Sequence, residues 1–387
     1  MHRSVGSYIT TTTSGEAVNA FVPYALPPTD PALLVESYEI QSRAAEIALA
    51  RLSGVSGLVP SVDWLLYSAI RKEALLTSQI EGTQATLTDL FDEEAGLAVS
   101  NTDDIEEVTN YMRAFRLVRD NLRDPNGLPI SVRLMCNTHR LLLNGVRGIG
   151  EQPGELRRSQ NWIGGTRPGK AVFVPPPADQ VPNLLADLER FIHVQSILGE
   201  PGHLPPLVKI ALVHAQFETI HPFLDGNGRI GRLLIAALME DWGLLPEPLL
   251  YLSGYLKQHQ SEYYRLLSGI RTEGNWEAWV EFFLEGVAVA AANAERSVVE
   301  IATLVAADRR RLLGSAKSGS ATYRLFELLP MMPRFTVERV RKELETSFPT
   351  ANAAVKTLKD LGIVSEMTGQ KKNRSFSYQS YIELLAK

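Results

Sequence analysis

The chain has 387 residues, with 39 Lys/Arg against 44 Asp/Glu, a net charge of -5, 45% apolar residues and a single cysteine, Cys136. Its length predicts two or three domains, and its ordinary apolar content is enough for a sizeable core. The charge excludes a global pull toward nucleic acid or membrane, and one cysteine excludes an internal disulfide or a cysteine-built metal cage.

Residues 1–30 are rich in Thr, Ser and Pro and read as an extended arm. They hold no apolar run long enough for a signal peptide, and no later stretch reaches the length of a membrane span. The expectation is a cytoplasmic protein. From "DPALLVESYEIQSRAAEIALARLSG" onward the apolar spacing is helical, with further helices expected at 61–81, 103–122, 131–144, 180–198, 204–219, 228–242, 257–271 and 275–312. Strands are expected to be nearly absent before residue 315. The exception is "NWIGGTRPGKAVFVPPP", 161–177, whose β-formers flank a Gly/Pro turn and read as a short hairpin or flap. The helix from 275 ends on Arg309, Arg310 and Arg311 before Gly314, a C-terminal signature. "GSAKSGSA", 314–321, reads as a linker.

The remaining residues, 320–387, carry eleven Lys/Arg and seven Asp/Glu, locally +4. Helices at 321–329, 336–345 and 350–361, followed by two β-like runs around a basic turn, give the layout of a winged helix-turn-helix. Lys356 and Lys359 would face phosphates, and Lys371, Lys372 and Arg374 would fall at the wing tip. DNA binding competes here with packing, dimerisation or target docking. The third helix shows no obvious Arg/Asn/Gln row for base edges.

The chemistry concentrates in "HPFLDGNGRIGR", 221–232. Arg229 and Arg232 fall in the first turn of a helix, where unpaired N–H groups already carry positive charge. Two cations there call for an anion. Gly226-x-Gly228-x-x-Gly231 matches a dinucleotide fingerprint only superficially, because the preceding residues read as a helix and no parallel sheet surrounds it. Gly226, Asn227 and Gly228 before a helix can aim successive N–H groups at one anion, and the helix terminus adds its dipole. The two arginines share a helix face. These features fit a polyphosphate. Asp225 is a hard oxygen ligand suited to Mg²⁺ shared with phosphates. His221 can act as general base for an incoming hydroxyl. Each residue alone has a structural explanation; together within twelve residues they imply attack on a phosphate ester. His214 reads as a core residue or a support for the site rather than a metal ligand.

This stretch resembles the signature of the Fic (filamentation induced by cAMP) family, His-x-Phe-x-Asp/Glu-Gly-Asn-Gly-Arg-x-x-Arg, at every fixed position. The resemblance covers roughly residues 60–300, and "GELRRSQNWIGG" also looks similar to the family. It implies a mainly α fold: a Fic helical bundle with a β-hairpin flap, joined to the winged helix-turn-helix. The implied divisions are 1–100 for the arm and first helices, 101–313 for the catalytic core and long helix, and 320–387 for the winged domain. The implied activity is protein adenylyltransfer: AMP moves from ATP to a Ser, Thr or Tyr hydroxyl of a protein, self-modification included, and pyrophosphate leaves. His221 would be the base and Phe223 a core anchor. Asp225 would bind Mg²⁺. Gly226, Asn227 and Gly228 would hold the α-phosphate, Arg229 the β- and Arg232 the γ-phosphate. The flap residues Asn161, Trp162, Ile163, Gly164, Val172, Phe173 and Val174 would clamp the target by strand addition.

"LLTSQIEGTQ", 75–84, resembles the family's inhibitory motif, Ser/Thr-x-x-x-Glu-Gly/Asn, through Thr77, Glu81 and Gly82 on a helix at about 63–82. A carboxylate docked on Arg232 would occupy the seat of the γ-phosphate. The same residues also serve two other readings: removal of AMP from a modified protein, and a nucleotide-sensing DNA-binding regulator. A homo-oligomer fits family habit, though no residue decides it.

Overall fold

The computed structural model describes residues 3–145, 150, 152–194, 203–316, 318–370 and 374–386. The expected arm is instead a β-hairpin, β1 (Gly6–Thr13) and β2 (Glu16–Pro23), paired antiparallel from Gly6↔Pro23 to Thr13↔Glu16. The expectation of almost no strands before residue 315 is therefore wrong. Its cause is local: Ser14 (φ 51) and Gly15 (φ 79) both take positive φ, as a two-residue turn matched to strand twist requires. Thr, Tyr, Val and Phe on either side are β-formers. Arg3 pins the chain start to the base of the long helix through Glu277 at 2.7 Å and the Gly274 carbonyl at 3.0 Å.

The helices follow in order: α1 (Val35–Val55), α2 (Val62–Ile80), α3 (Leu87–Glu94), α4 (Thr102–Arg123), α5 (Val132–Leu142), α6 (Val181–His193), α7 (Pro206–Ile220), α8 (Asn227–Asp241), α9 (Ser253–Gln258), α10 (Gln260–Glu273) and α11 (Trp276–Leu313). The helix expected at 257–271 is two, because the chain breaks at His259 before α10 starts. α3 was not anticipated; Thr86 and Asp89 start it with a capping box. α1 lies along α11, while α7 packs between α6, α8 and α11. Nearly every side chain of α7 is buried, which is why its sequence is mostly apolar, with Lys209, His214 and Gln216 among its buried polar exceptions. Trp279 on α11 donates to the Ala211 carbonyl at 2.9 Å and fixes the two helices together.

Beyond α11 lie α12 (Ser320–Leu328), β3 (Arg334–Thr336), α13 (Val337–Glu343), α14 (Phe348–Asp360), β4 (Ser365–Glu366), β5 (Ser375–Ser377) and α15 (Gln379–Ala386). The strands form one antiparallel sheet in the order β3-β5-β4. Apolar residues of this part, Phe326, Phe335, Val355 and Tyr381 among them, join the same core cluster as the preceding helices. Lys371 and Lys372 lie outside the described residues. No helix among the described residues is long and apolar enough to cross a membrane.

Candidate active site

α7 ends at His221, whose backbone N–H still bonds the Phe217 carbonyl at 2.9 Å while its own φ of 50 turns the chain out of the helix. The loop then crosses to Gly226 (φ 77), which starts α8 in a left-handed conformation that a side chain would strain. This short crossing places His221 beside the N-terminus of α8, with its unpaired N–H groups and positive dipole end.

Four groups hold that loop. Phe223 is fully buried, and the His139 ring stacks on it with centroids 3.9 Å apart. His139 Nδ1 accepts from the Gly154 N–H at 2.9 Å, so Nε2 carries the proton toward the Asp225 carbonyl at 3.0 Å. Asn227 spends its side chain on Phe223, accepting from its N–H and donating to its carbonyl, both at 2.9 Å. What Asn227 can offer a phosphate is its backbone N–H. Arg157 donates to the His221 carbonyl at 2.8 Å and also bonds the carbonyls of Ser159, Pro176 and Ile220.

These surroundings set the protonation of His221. Burial, then the Arg157 charge, push its pKa down to about 4. The imidazole is neutral near pH 7 and able to take a proton. Its Nδ1 has no hydrogen bond of ordinary geometry, although the Glu218 carbonyl lies near enough to favour the charged form. His214 lies deeper, between the Gly231 carbonyl at 3.1 Å and the Tyr263 hydroxyl at 2.9 Å, and burial lowers its pKa to about 3.

Both first-turn arginines are buried and paired. Arg229 donates to Asp225 Oδ2 at 3.0 Å and approaches Glu107 at 3.7 Å. Arg232 donates from Nε to the Thr77 hydroxyl at 2.6 Å, and from Nη2 to the Thr77 carbonyl at 3.2 Å and Glu81 Oε1 at 2.5 Å. Burial alone would lower the Arg232 pKa, but Glu81, with Tyr263 and Glu218, turns the net shift upward. Glu81 caps the C-terminal end of α2, and Gly82 (φ 104) turns the chain away. Its Oε1 also sits over α8: a Cβ on Gly228 would lie 2.4 Å from it. The carboxylate thus lies over the N-terminus of α8.

The 161–177 segment is less of a hairpin than its sequence suggests. One bridge, Ile163↔Phe173, joins its two sides. Pro168, Pro175, Pro176 and Pro177 remove the donors that a longer ladder needs. The pairing continues sideways instead: the Phe21 N–H of β2 bonds the Val174 carbonyl at 2.9 Å, and Val18, Ala20 and Val174 form a small apolar cluster. Trp162 and Ile163 are partly exposed and Val172 is 78% exposed, while Phe173 and Val174 are buried. Asn161 donates to the Phe223 carbonyl at 3.2 Å, tying the segment to the central loop. Gly164 (φ 69) makes its turn.

The sequence reading missed four residues. Arg157 and His139 support the loop. Arg271 on α10 lays its guanidinium 3.9 Å over the Phe173 ring. Glu218 keeps Oε1 buried and unpartnered, and burial raises its pKa to about 7 against the pull of Arg232. Arg157 stood inside "GELRRSQ", where the adjacent Arg158 gives no sign of which is buried. The other three sit in helices at positions that read as ordinary polar faces.

Comparison with known families matches residues 41–120 to the Fic/DOC family N-terminal region and residues 129–239 to the Fic/DOC family. Among curated proteins, the chain is 27% identical over 209 residues to "Protein adenylyltransferase Fic" of Drosophila erecta, covering 53% of this chain and 38% of that one. The protein of the same name from Drosophila grimshawi is 28% identical over 209 residues, covering 53% and 39%. The match thus spans less than two-fifths of these relatives' length. A Fic family protein from Desulfovibrio desulfuricans G20 shares the fold with a TM-score of 0.57 at 21% identity, over 90% of this chain and 97% of that one. Fic-1 from C. elegans aligns with a TM-score of 0.51 at 21% identity, over 68% and 72%. Residues 41–120 and 129–239 thus match Fic/DOC family regions, within a mainly helical fold shared with a Fic family protein.

Proposed function

We propose that the protein is a nucleotidyltransferase that moves AMP from ATP to a hydroxyl of a protein, releases pyrophosphate, and is held off by its own Glu81. The observation that carries this is the Glu81 carboxylate on buried Arg232, 2.5 Å away at the N-terminus of α8. A site that receives an anion there, one short loop after a neutral histidine, has the parts for phosphoryl chemistry. The relatives named protein adenylyltransferase support the choice of AMP as the transferred group.

In this reading the ATP phosphates lie along the α8 N-terminus. The backbone of Gly226, Asn227 and Gly228 meets the α-phosphate, and Arg229 and Arg232 meet the β- and γ-phosphates. The target hydroxyl oxygen attacks the α-phosphorus and gives its proton to His221. The bond to the β-phosphate oxygen breaks and pyrophosphate leaves. Exposed Asp225 is one carboxylate beside those phosphates, which is the donor set Mg²⁺ uses when shared with a nucleotide. Bound there, the ion would neutralise phosphate charge. No group of three or more metal-ligating side chains occurs among the described residues, so Asp225 and the nucleotide would hold it together. The flap, 161–177, would bind the target segment by strand addition beside exposed Trp162.

Glu81 blocks this pose by occupying the γ-phosphate seat. A closed state favoured by about 2.7 kcal/mol lowers activity roughly a hundredfold. One observation keeps AMP removal as a second reading. Glu81 bonds Arg232 through Oε1, and Oε2 makes no hydrogen bond among the described residues, leaving it free to orient a water. We read residues 320–387 as a winged helix-turn-helix domain. Among the described residues expected to contact DNA, Lys356 is exposed, while Lys359 pairs with Glu366 at 2.7 Å and Arg374 bonds Asn352 at 2.8 Å. Incubation with α- and γ-labelled ATP separates the readings. Transfer requires protein-bound α-label only, absent in His221→Ala although that variant still binds ATP. Release of AMP from a modified protein, without incorporation, would support removal.

A further inference from the structure

The C-terminal part of the chain touches the helix that ends in Glu81. Arg334 of β3 donates to Asp92 of α3 at 2.7 Å, and both side chains are largely buried. Arg339 of α13 donates to the Glu94 backbone carbonyl at the end of α3. The Glu94 carboxylate turns back onto α2: it accepts from Arg71 Nε at 2.9 Å and Nη2 at 2.6 Å, and from the Tyr67 hydroxyl. The Arg71 guanidinium lies over the Tyr67 ring, 3.3 Å from its centroid. The turn Leu329–Met331 packs directly on α2, and Leu385 of α15 faces Leu65 and Ala69 of α2 across a shared cavity. α2 is therefore held along its length. Its C-terminal half is tied by Thr77 and Glu81 to Arg232, by Glu73 to Ser253, and by the Ile80 carbonyl to Gln260. Its first half is held by the C-terminal part, through α3 and directly.

We propose that residues 320–387 hold the brake closed, by fixing α3 and α2 in the position that presents Glu81 to Arg232. The inference rests on Glu81 being an inhibitor of AMP transfer, as argued above. Its physical basis is that a helix of 19 residues spans about 28 Å and moves as a rigid element, so a shift at Tyr67 and Arg71 is carried to Glu81. A partner that engages this C-terminal part and draws β3 and α13 off α3 would release the transferase. The basic residues of the domain would then act as an input to the catalytic site rather than as an output.

The test compares wild type, Arg334→Ala, Asp92→Ala, the charge swap Arg334→Asp/Asp92→Arg, and Glu81→Gly. Two readouts are taken on the full chain: α-label incorporation from ATP, and amide hydrogen exchange over residues 77–82. The single variants should raise incorporation about fivefold to tenfold and speed exchange at 77–82 by a similar factor. The swap should return both toward wild type, which guards against loss of fold as the explanation. Unchanged exchange at 77–82 in folded single variants overturns the coupling whatever the activity. Slow incorporation in them beside a fast Glu81→Gly overturns it too. A Glu81→Gly protein that transfers no AMP, with exchange at 77–82 still loosened by Arg334→Ala, leaves the mechanical link standing and removes the assigned reaction instead.

Discussion

Glu81 and Arg232 meet 2.5 Å apart, across 151 residues of chain, beside the N-terminus of α8. The guanidinium is almost fully buried and the carboxylate about one-third exposed. Removing the carboxylate leaves Arg232 in a low-dielectric site with Thr77 as its remaining close acceptor. An incoming phosphate then gains what Glu81 had. The contact is an ion pair of the protein and, in the proposed reading, a template for a phosphate.

Thr77 should therefore matter beyond packing. Its hydroxyl accepts from Arg232 Nε at 2.6 Å in a fully buried setting. Thr77→Ala leaves that N–H unpaired, at about 1–3 kcal/mol. Chemical denaturation should show a loss of this size. AMP transfer should rise a few-fold at the same time, because α2 loses one of its ties to Arg232. Equal activity in the two proteins would detach Thr77 from the brake.

Arg157 is predicted to position His221 rather than to touch the reacting atoms. Its guanidinium bonds four carbonyls, from His221, Ser159, Pro176 and Ile220. Arg157→Ala should destabilise the fold by about 2–4 kcal/mol and, measured in the Glu81→Gly background, lower kcat more than it raises KM for ATP. Arg157→Lys should recover little, since one ammonium cannot reach all four acceptors. A pure KM effect would place Arg157 in nucleotide binding instead.

The acid limb of kcat/KM should lie unusually low. The base works as neutral imidazole, and burial with Arg157 holds its pKa at about 4, below the ordinary 6.5. Removal of Glu81, whose charge raises that value, moves it further down. Activity of Glu81→Gly should stay flat from pH 8 to about 5 and fall only below. A limb between pH 6 and 7 would contradict the buried, neutral base. The same depression has a stability consequence: the folded protein resists protonation, so this contribution is intact above pH 6.5 and is lost as pH falls toward 4.

Glu218 has the opposite sign. Burial raises its pKa from 4.5 to about 7, so its contribution is intact below 4.5 and is lost as pH rises through 7. Glu218→Gln should raise Tm by about 2–6 °C at pH 8 and by much less at pH 4.5. A pH-independent change would mean that the carboxyl is better solvated than its unpartnered Oε1 indicates.

The central site was legible because its logic is local. His221, Asp225, the glycines and both arginines lie within one loop and one helical turn, and their spacing alone predicts an anion site. Thr77 and Glu81 were legible through their resemblance to a known motif, since nothing in the intervening chain indicates that α2 ends at Arg232. The N-terminal hairpin is masked in the sequence by its Thr-rich composition, which reads as an arm although Ser14-Gly15 lies between β-formers. The flap is less paired than its β-formers suggest: prolines limit its ladder, and β2 supplies pairing from Phe21, far earlier in the chain. Arg157, His139 and the Asp92–Arg334 pair depend on which side of a helix or loop faces a distant element, which periodicity does not encode.

The most direct test of the account is protein-bound label from α-labelled ATP in purified Glu81→Gly beside wild type and His221→Ala, with γ-labelled ATP in parallel. The account predicts α-label only, on the order of a hundredfold more in Glu81→Gly than in wild type and none in His221→Ala. Incorporation in Glu81→Gly no greater than in wild type, with the variant folded and binding ATP, would contradict it.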